Sequence, residues 1–232
     1  MPRKATIYAY SVIVVGMAVL LGALWRWQSP DMPRFLAYLG LACLGGMLKV
    51  RIPGMEGTYS LSFLFALLSV LDLMFPEAIV IGAVGAFVQS VWRTAKRPKF
   101  VQVLFNGANF SISIGLCCLV GRASAGTALH HNLAAELSIM AGLFYAVNTV
   151  LVSVVISMLE GTRVAVVWRR WLTWSFPLYL IGAFVAGVVV ASGRSGGWQT
   201  SLLVLPIMGF IFVCYRLYVN RHKSDTSLLN KP

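Results

Sequence analysis

Apolar positions gather into eight runs, at roughly 6–25, 35–48, 59–75, 77–92, 101–121, 134–158, 173–192 and 199–218. A helix rises about 1.5 Å per residue and needs about 20 residues to cross ~30 Å of hydrocarbon. Most runs meet that length. The second, third and fourth are short, which predicts crossings with little tilt, a locally thinned bilayer or partly re-entrant segments. Only the Pro76-Glu77 corner separates the third run from the fourth. It predicts a tight helical hairpin, because proline suits the first turn of a new helix. Between Gly161 and Trp171, Val164, Ala165, Val166, Val167, Trp168 and Trp171 lie among Arg163, Arg169 and Arg170. This pattern predicts a short amphipathic helix in the inner interface, with tryptophans at headgroup depth.

Composition narrows the class. Hydrophobic residues make up 59% of the 232 and charged residues 11%, with a mean hydropathy of +0.81. Soluble domains carry about 25% charge, and so few charges cannot cover so much apolar surface in water. A water-soluble enzyme, a disordered chain and a secreted disulfide scaffold are excluded. The expected fold is an all-α polytopic membrane helix bundle with about eight transmembrane helices. Residues 1–221 form a single transmembrane domain and 222–232 a short polar cytoplasmic tail. The run from Ala5 to Trp25 has spanning length and no convincing cleavage site, so it is expected to stay as an uncleaved first helix. Cys43, Cys117, Cys118 and Cys214 all lie in apolar runs and read as small buried hydrophobes rather than ligands or disulfides.

The net charge of +12 would suggest nucleic acid in a soluble protein. Here it marks loops. With all eight runs crossing and the N-terminus inside, 15 of the 19 Lys and Arg residues fall on the inner side and four, Arg26, Arg34, Arg122 and Arg194, on the outer. The positive-inside rule then places both termini in the cytoplasm. The expected partner is the lipid bilayer, not nucleic acid.

Candidate chemistry is mostly uncharged. Gln102, Asn106, Asn109 and Ser113 recur at spacings of four, three and four, on one helical face. Asn148, with Tyr145 one turn away, marks the sixth run, and Asn109 and Asn148 fall at similar mid-membrane depth. Gln89 and Ser62 add polar groups toward the inner half. Such a stripe avoids lipid. It makes either interhelical hydrogen bonds, worth about 0.6–2 kcal/mol each, or a central ligand pocket. Asp72 and Glu77 flank the outer corner, as an entrance or ion-binding pair or simply as solvated charges with Glu77 at a positive helix end. The small-residue steps Gly182/Ala186, Ala183/Gly187 and Gly82/Ala86 predict close helix packing.

Enzyme readings fail on missing groups. No His lies in a predicted span to ligate haem, a second membrane Asp is missing, and no mid-membrane base is present to activate a serine. His130, His131 and Glu136 form the one metal-like cluster, in an outer loop where solvated histidines are the plainer reading. No cofactor and no metal are expected.

Three stretches carry a family likeness: Lys49–Phe63 (KVRIPGMEGTYSLSF), Val101–Ser113 (VQVLFNGANFSIS), and Val147–Ser153 (VNTVLVS) followed by Leu159-Glu160-Gly161-Thr162-Arg163 and Trp168-Arg169-Arg170. Together they resemble the multi-spanning bacterial membrane sensor domains of MASE type, found ahead of GGDEF and HD-GYP signalling domains, from about Lys49 to Tyr218. Ser60–Trp92 also loosely resembles the S-components of energy-coupling-factor vitamin transporters. The MASE resemblance implies a non-enzymatic sensor in a bacterial inner (plasma) membrane. A small amphipathic ligand would enter between helices three to six, oriented by Asn106, Asn109 and Asn148. The signal would leave through the eighth helix to a separate cytoplasmic signalling or energising protein, since the sequence ends where such relatives continue into a catalytic domain. The alternatives are a solute transport module and an intramembrane enzyme acting on lipid through Asp72 or Glu77.

Overall fold

The computed structural model describes residues 2–51, 58–94, 97–124 and 132–197, with scattered positions from 199 to 217. In chain order these form α1 (Arg3–Trp25), α2 (Met32–Met47), β1 (Lys49–Arg51), β2 (Thr58–Ser60), α3 (Ser62–Asp72), α4 (Phe75–Val91), α5 (Phe100–Ser124), α6 (Leu133–Glu160) and α7 (Val164–Gly196). The first seven apolar runs all become helix. Most of the eighth run, 199–218, and the tail 222–232 lie outside the described residues. Four stretches are long and apolar enough to cross a membrane: Arg3–Trp25, Phe100–Ala123, Leu133–Glu160 and Ser175–Gly193 within α7. The chain is a multi-pass helical membrane protein.

The helix ends follow local chemistry. Asp31 caps α2, accepting from Arg34 N at 3.1 Å, and Asn132 caps α6, accepting from Ala135 N at 3.1 Å. Pro76 lies in the first turn of α4, as the corner predicts. Gly161 closes α6 at φ 67°, a left-handed turn that side-chain-bearing residues avoid.

Two features depart from the periodicity. The stretch after α2 is not only loop: β1 and β2 pair antiparallel, with Lys49 opposite Ser60 and Arg51 opposite Thr58. The expected interfacial helix around Trp168 is also not separate. It forms the first turns of α7, a helix that runs without a break for 33 residues, with Pro177 inside it. No turn-forming residue stands between Arg163 and Trp174 to break it, and proline alone kinks a helix more often than it ends one once neighbours support the freed carbonyl.

The core is built around α3. At 11 residues it is about 16 Å long, far less than the hydrocarbon thickness. Every residue from Ser62 to Ser69 is buried. It packs against α2, α4 and α7 and touches α5 and α6. Lipid therefore meets its neighbours rather than α3, and the mismatch that penalises a short lipid-facing helix does not arise. Small residues create the room. Gly182 on α7 receives the ring of Phe63, Gly82 on α4 receives Ile114, and Gly16 on α1 lies directly against the backbone of Ala108 on α5.

Gly16 and Gly22 therefore make a matched test on one helix. A methyl at Gly16 meets main-chain atoms that cannot rotate away, whereas one at Gly22 meets nothing within 4 Å. Gly16→Ala should cost roughly 1–3 kcal/mol by forcing α1 off α5. Gly22→Ala should be neutral or stabilise by about 0.5–1 kcal/mol. Thermal unfolding in detergent micelles measures both.

Candidate functional site

Asn109 and Asn148 meet. Asn109 on α5 is 1% exposed. Its Nδ2 donates to Asn148 Oδ1 at 2.5 Å and to the Asn148 backbone carbonyl at 3.3 Å. Asn148 Nδ2 in turn donates to Tyr179 Oη on α7 at 2.7 Å. One side-chain chain thus crosses three helices. Asn109 Oδ1 is buried and has no hydrogen-bond partner. Such an orphan acceptor costs about 1–3 kcal/mol if nothing reaches it.

Aromatic rings surround the pair. Tyr179 lies 4.3 Å from Phe63, 4.6 Å from Tyr145 and 6.3 Å from Phe144, centroid to centroid, and Phe144 meets Phe110 edge-on at 5.4 Å. Tyr145 Oη shares a hydrogen bond with Ser175 Oγ at 3.4 Å. Along α6, Tyr145, Thr149, Ser153 and Ser157 recur every fourth residue and are all buried. Trp168 Nε1 on α7 donates to Thr149 Oγ1 at 3.0 Å, and Ser153 Oγ is a second buried atom without a partner.

The other stripe residues serve different places. Asn106 Nδ2 donates to Ser90 Oγ on α4 at 2.9 Å. Ser113 Oγ donates back to the Asn109 carbonyl at 2.8 Å, within α5. Gln102 is exposed, and its Oε1 accepts from Lys99 N at 2.9 Å, capping the start of α5. Ser62 Oγ donates to Gln89 Oε1 at 2.9 Å and lies 2.8 Å from Ser60 Oγ, tying the hairpin to α3 and α4. Nearby, Lys49 Nζ donates to the Trp92 carbonyl at 2.5 Å, and burial lowers the pKa of its ammonium from the ordinary value. Of the eight uncharged candidates, Asn109, Asn148 and Tyr145 form one cluster. Asn106, Ser62 and Gln89 belong to separate interhelical contacts, and Ser113 and Gln102 make bonds local to α5.

Asp72 and Glu77 lie at the opposite end of α3 from Ser62. Asp72 Oδ2 accepts from Tyr38 Oη at 2.6 Å and pairs with Arg34 Nη2 at 3.1 Å. Glu77 is 2% exposed. Its Oε1 accepts from Ser29 Oγ at 2.6 Å and its Oε2 from Met74 N at 2.9 Å. The corner is thus a partly buried polar clasp joining the α1–α2 loop and α2 to α3 and α4, rather than a pair of solvated charges. Glu136 is buried on α6, while His130 and His131 lie outside the described residues. Among the described residues no three His, Cys, Asp or Glu side chains group to hold a metal ion.

Tyr179 and Ser175 lie outside the sequence-predicted site, although their spacing of four within an apolar run is the same signal that marks Asn109 and Ser113. Ser29, Arg34 and Tyr38 had no periodic signal, because two of them precede or open a helix.

The amide pair predicts non-additive stability. Asn148→Leu strands the Asn109 amide and should cost about 1–3 kcal/mol. Adding Asn109→Leu removes the stranded group and should recover part of that loss. Unfolding of the single and double variants in micelles gives the coupling, and strictly additive losses would refute the pairing.

The family model for MASE9 matches residues 44–192, more than half of the 232. No curated protein and no solved structure matches significantly. The match begins at the end of α2 and covers the hairpin, α3, α4, α5, α6 and most of α7, so it includes the α5–α6–α7 amide cluster. MASE9 domains are sensory input modules and are themselves non-catalytic. The chain belongs to the MASE9 family of membrane sensor domains.

Proposed function

We propose that this domain senses a small amphipathic molecule at the junction of α5, α6 and α7, and that Asn109 and Asn148 orient the ligand's polar group. One observation carries the reading: a nearly fully buried asparagine that bonds across to a second helix yet keeps a carbonyl oxygen without a partner. Pockets for small molecules use few polar groups among many apolar ones, and the aromatic surroundings of the pair follow that pattern. Tyr179 links the site to α7, so a ligand that shifts Asn148 acts directly on the helix that leads toward Trp168. The sequence completes the picture. Eight passes and the bias of basic residues put both termini in the cytoplasm of a bacterial inner membrane, with a single transmembrane domain over 1–221. Output passes to a cytoplasmic signalling module. The family match supports sensing rather than transport.

The test is thermal unfolding of the purified chain against a panel of small amphipathic molecules. A true ligand at a hundred times its dissociation constant should stabilise the protein by about 2.7 kcal/mol. The Asn109→Leu/Asn148→Leu double variant should fold and lose that gain. Stabilisation that survives the double substitution would place the site elsewhere, and a panel without any stabilising member would remove the sensor pocket.

A further inference from the structure

The hydrogen-bond directions at the amide pair restrict what can bind there. Asn109 Nδ2 faces two oxygens of Asn148, the side-chain Oδ1 and the backbone carbonyl. Rotating the amide by half a turn would set oxygen against both, so Nδ2 is fixed toward α6 and Oδ1 points away from it. Asn148 is fixed as well: its Oδ1 accepts from Asn109, and its Nδ2 donates to Tyr179 Oη. The buried group left unmet is therefore an acceptor, Asn109 Oδ1. A molecule that itself offers only acceptors would add a second unpaired oxygen beside it. One that offers a donor would satisfy it.

The surroundings limit the rest of the molecule. Phe176 is 44% exposed on the outer face of α7, and its ring meets that of Tyr145 at 5.8 Å. Tyr145 meets Tyr179 at 4.6 Å, and Tyr179 bonds to Asn148. Ring contacts thus lead from the lipid-facing surface of α7 to the amides. Flat rings pack well against such edges and faces.

We propose that the ligand is a lipid-soluble, ring-bearing molecule that gives an O–H or N–H hydrogen bond to Asn109 Oδ1, arriving from the bilayer past Phe176. This rests on the sensor reading above and adds the chemical class. The test uses the full chain in lipid nanodiscs and two pairs of probes matched in shape but not in donor: indole with 1-methylindole, and phenol with anisole. Binding is followed by the shift in unfolding temperature with probe concentration. The donor-bearing member of a pair should bind about tenfold more tightly, the scale of one buried hydrogen bond. In Asn109→Leu/Asn148→Leu the difference should vanish. Equal affinities within both pairs, lost in the double variant, would overturn the donor requirement and leave the sensor site standing, with water meeting the orphan oxygen. Binding that ignores the variant, or no binding by any of the four, would overturn both. The comparison within the unsubstituted protein needs no variant to fold.

Discussion

An apolar helix too short to cross the bilayer has to be covered on all sides, and α3 imposes that demand on the whole bundle. From Ser62 to Ser69 it shows no surface, so α2, α4 and α7 wrap it while α5 and α6 close the remaining gaps. Hydrophobicity does not drive this wrapping inside a membrane, because lipid chains are as apolar as the side chains they would leave. Close fit does. Phe63 lodges between Tyr179 and Gly182 on α7, and Phe65 lies over Gly45 on α2. Glycine at these points lets backbones and rings approach where any larger side chain would hold them apart.

Polar groups then serve as fasteners at defined levels. The Ser60–Ser62–Gln89 contacts hold one end of α3, and the clasp of Ser29, Arg34, Tyr38, Asp72 and Glu77 holds the other. Each of these side chains makes at least one polar contact, as a medium without water favours, although Arg34 Nε is buried without a partner. At the middle level Asn109 Oδ1 and Ser153 Oγ are unmet, while Asn148 and Tyr179 beside Asn109 are bonded to each other. The family match spans this level and all of α3, but leaves out Ser29, Arg34 and Tyr38 of the clasp and the whole of α1, which packs mainly on α5.

Much of this was legible in the sequence. Lengths of apolar runs foretell helices because only helices satisfy their own backbone in lipid, and the first seven runs did become helix. Asn109 and Asn148 could be paired from depth alone, since α5 and α6 are consecutive and antiparallel. What the pattern missed has a physical cause in each case. Gln102 matches the stripe spacing, but it lies in the first turn of α5, where an unmet backbone N–H competes for its side chain. The hairpin at Lys49–Ser60 lies mostly between the second and third apolar runs, with strands too short to show an alternation, although Pro53-Gly54 between short β-branched stretches is a turn signal. The bond between Glu77 and Ser29 joins a helix start to a loop 48 positions away, and no local spacing encodes such a contact.

Pro177 has a mechanical consequence for α7. Lacking an N–H, it leaves the Thr173 carbonyl without its usual rung, so the 33-residue helix is two stiff rods meeting at a compliant joint. That joint falls two positions before Tyr179, beside the ring contacts on α3. The Tyr179 rod is clamped to α3 and to Asn148, while the rod beginning at Val164 is fastened to α6 through Trp168 and Thr149. A change of angle at Pro177 is therefore shared with α6, because the Trp168 indole carries Thr149 with it.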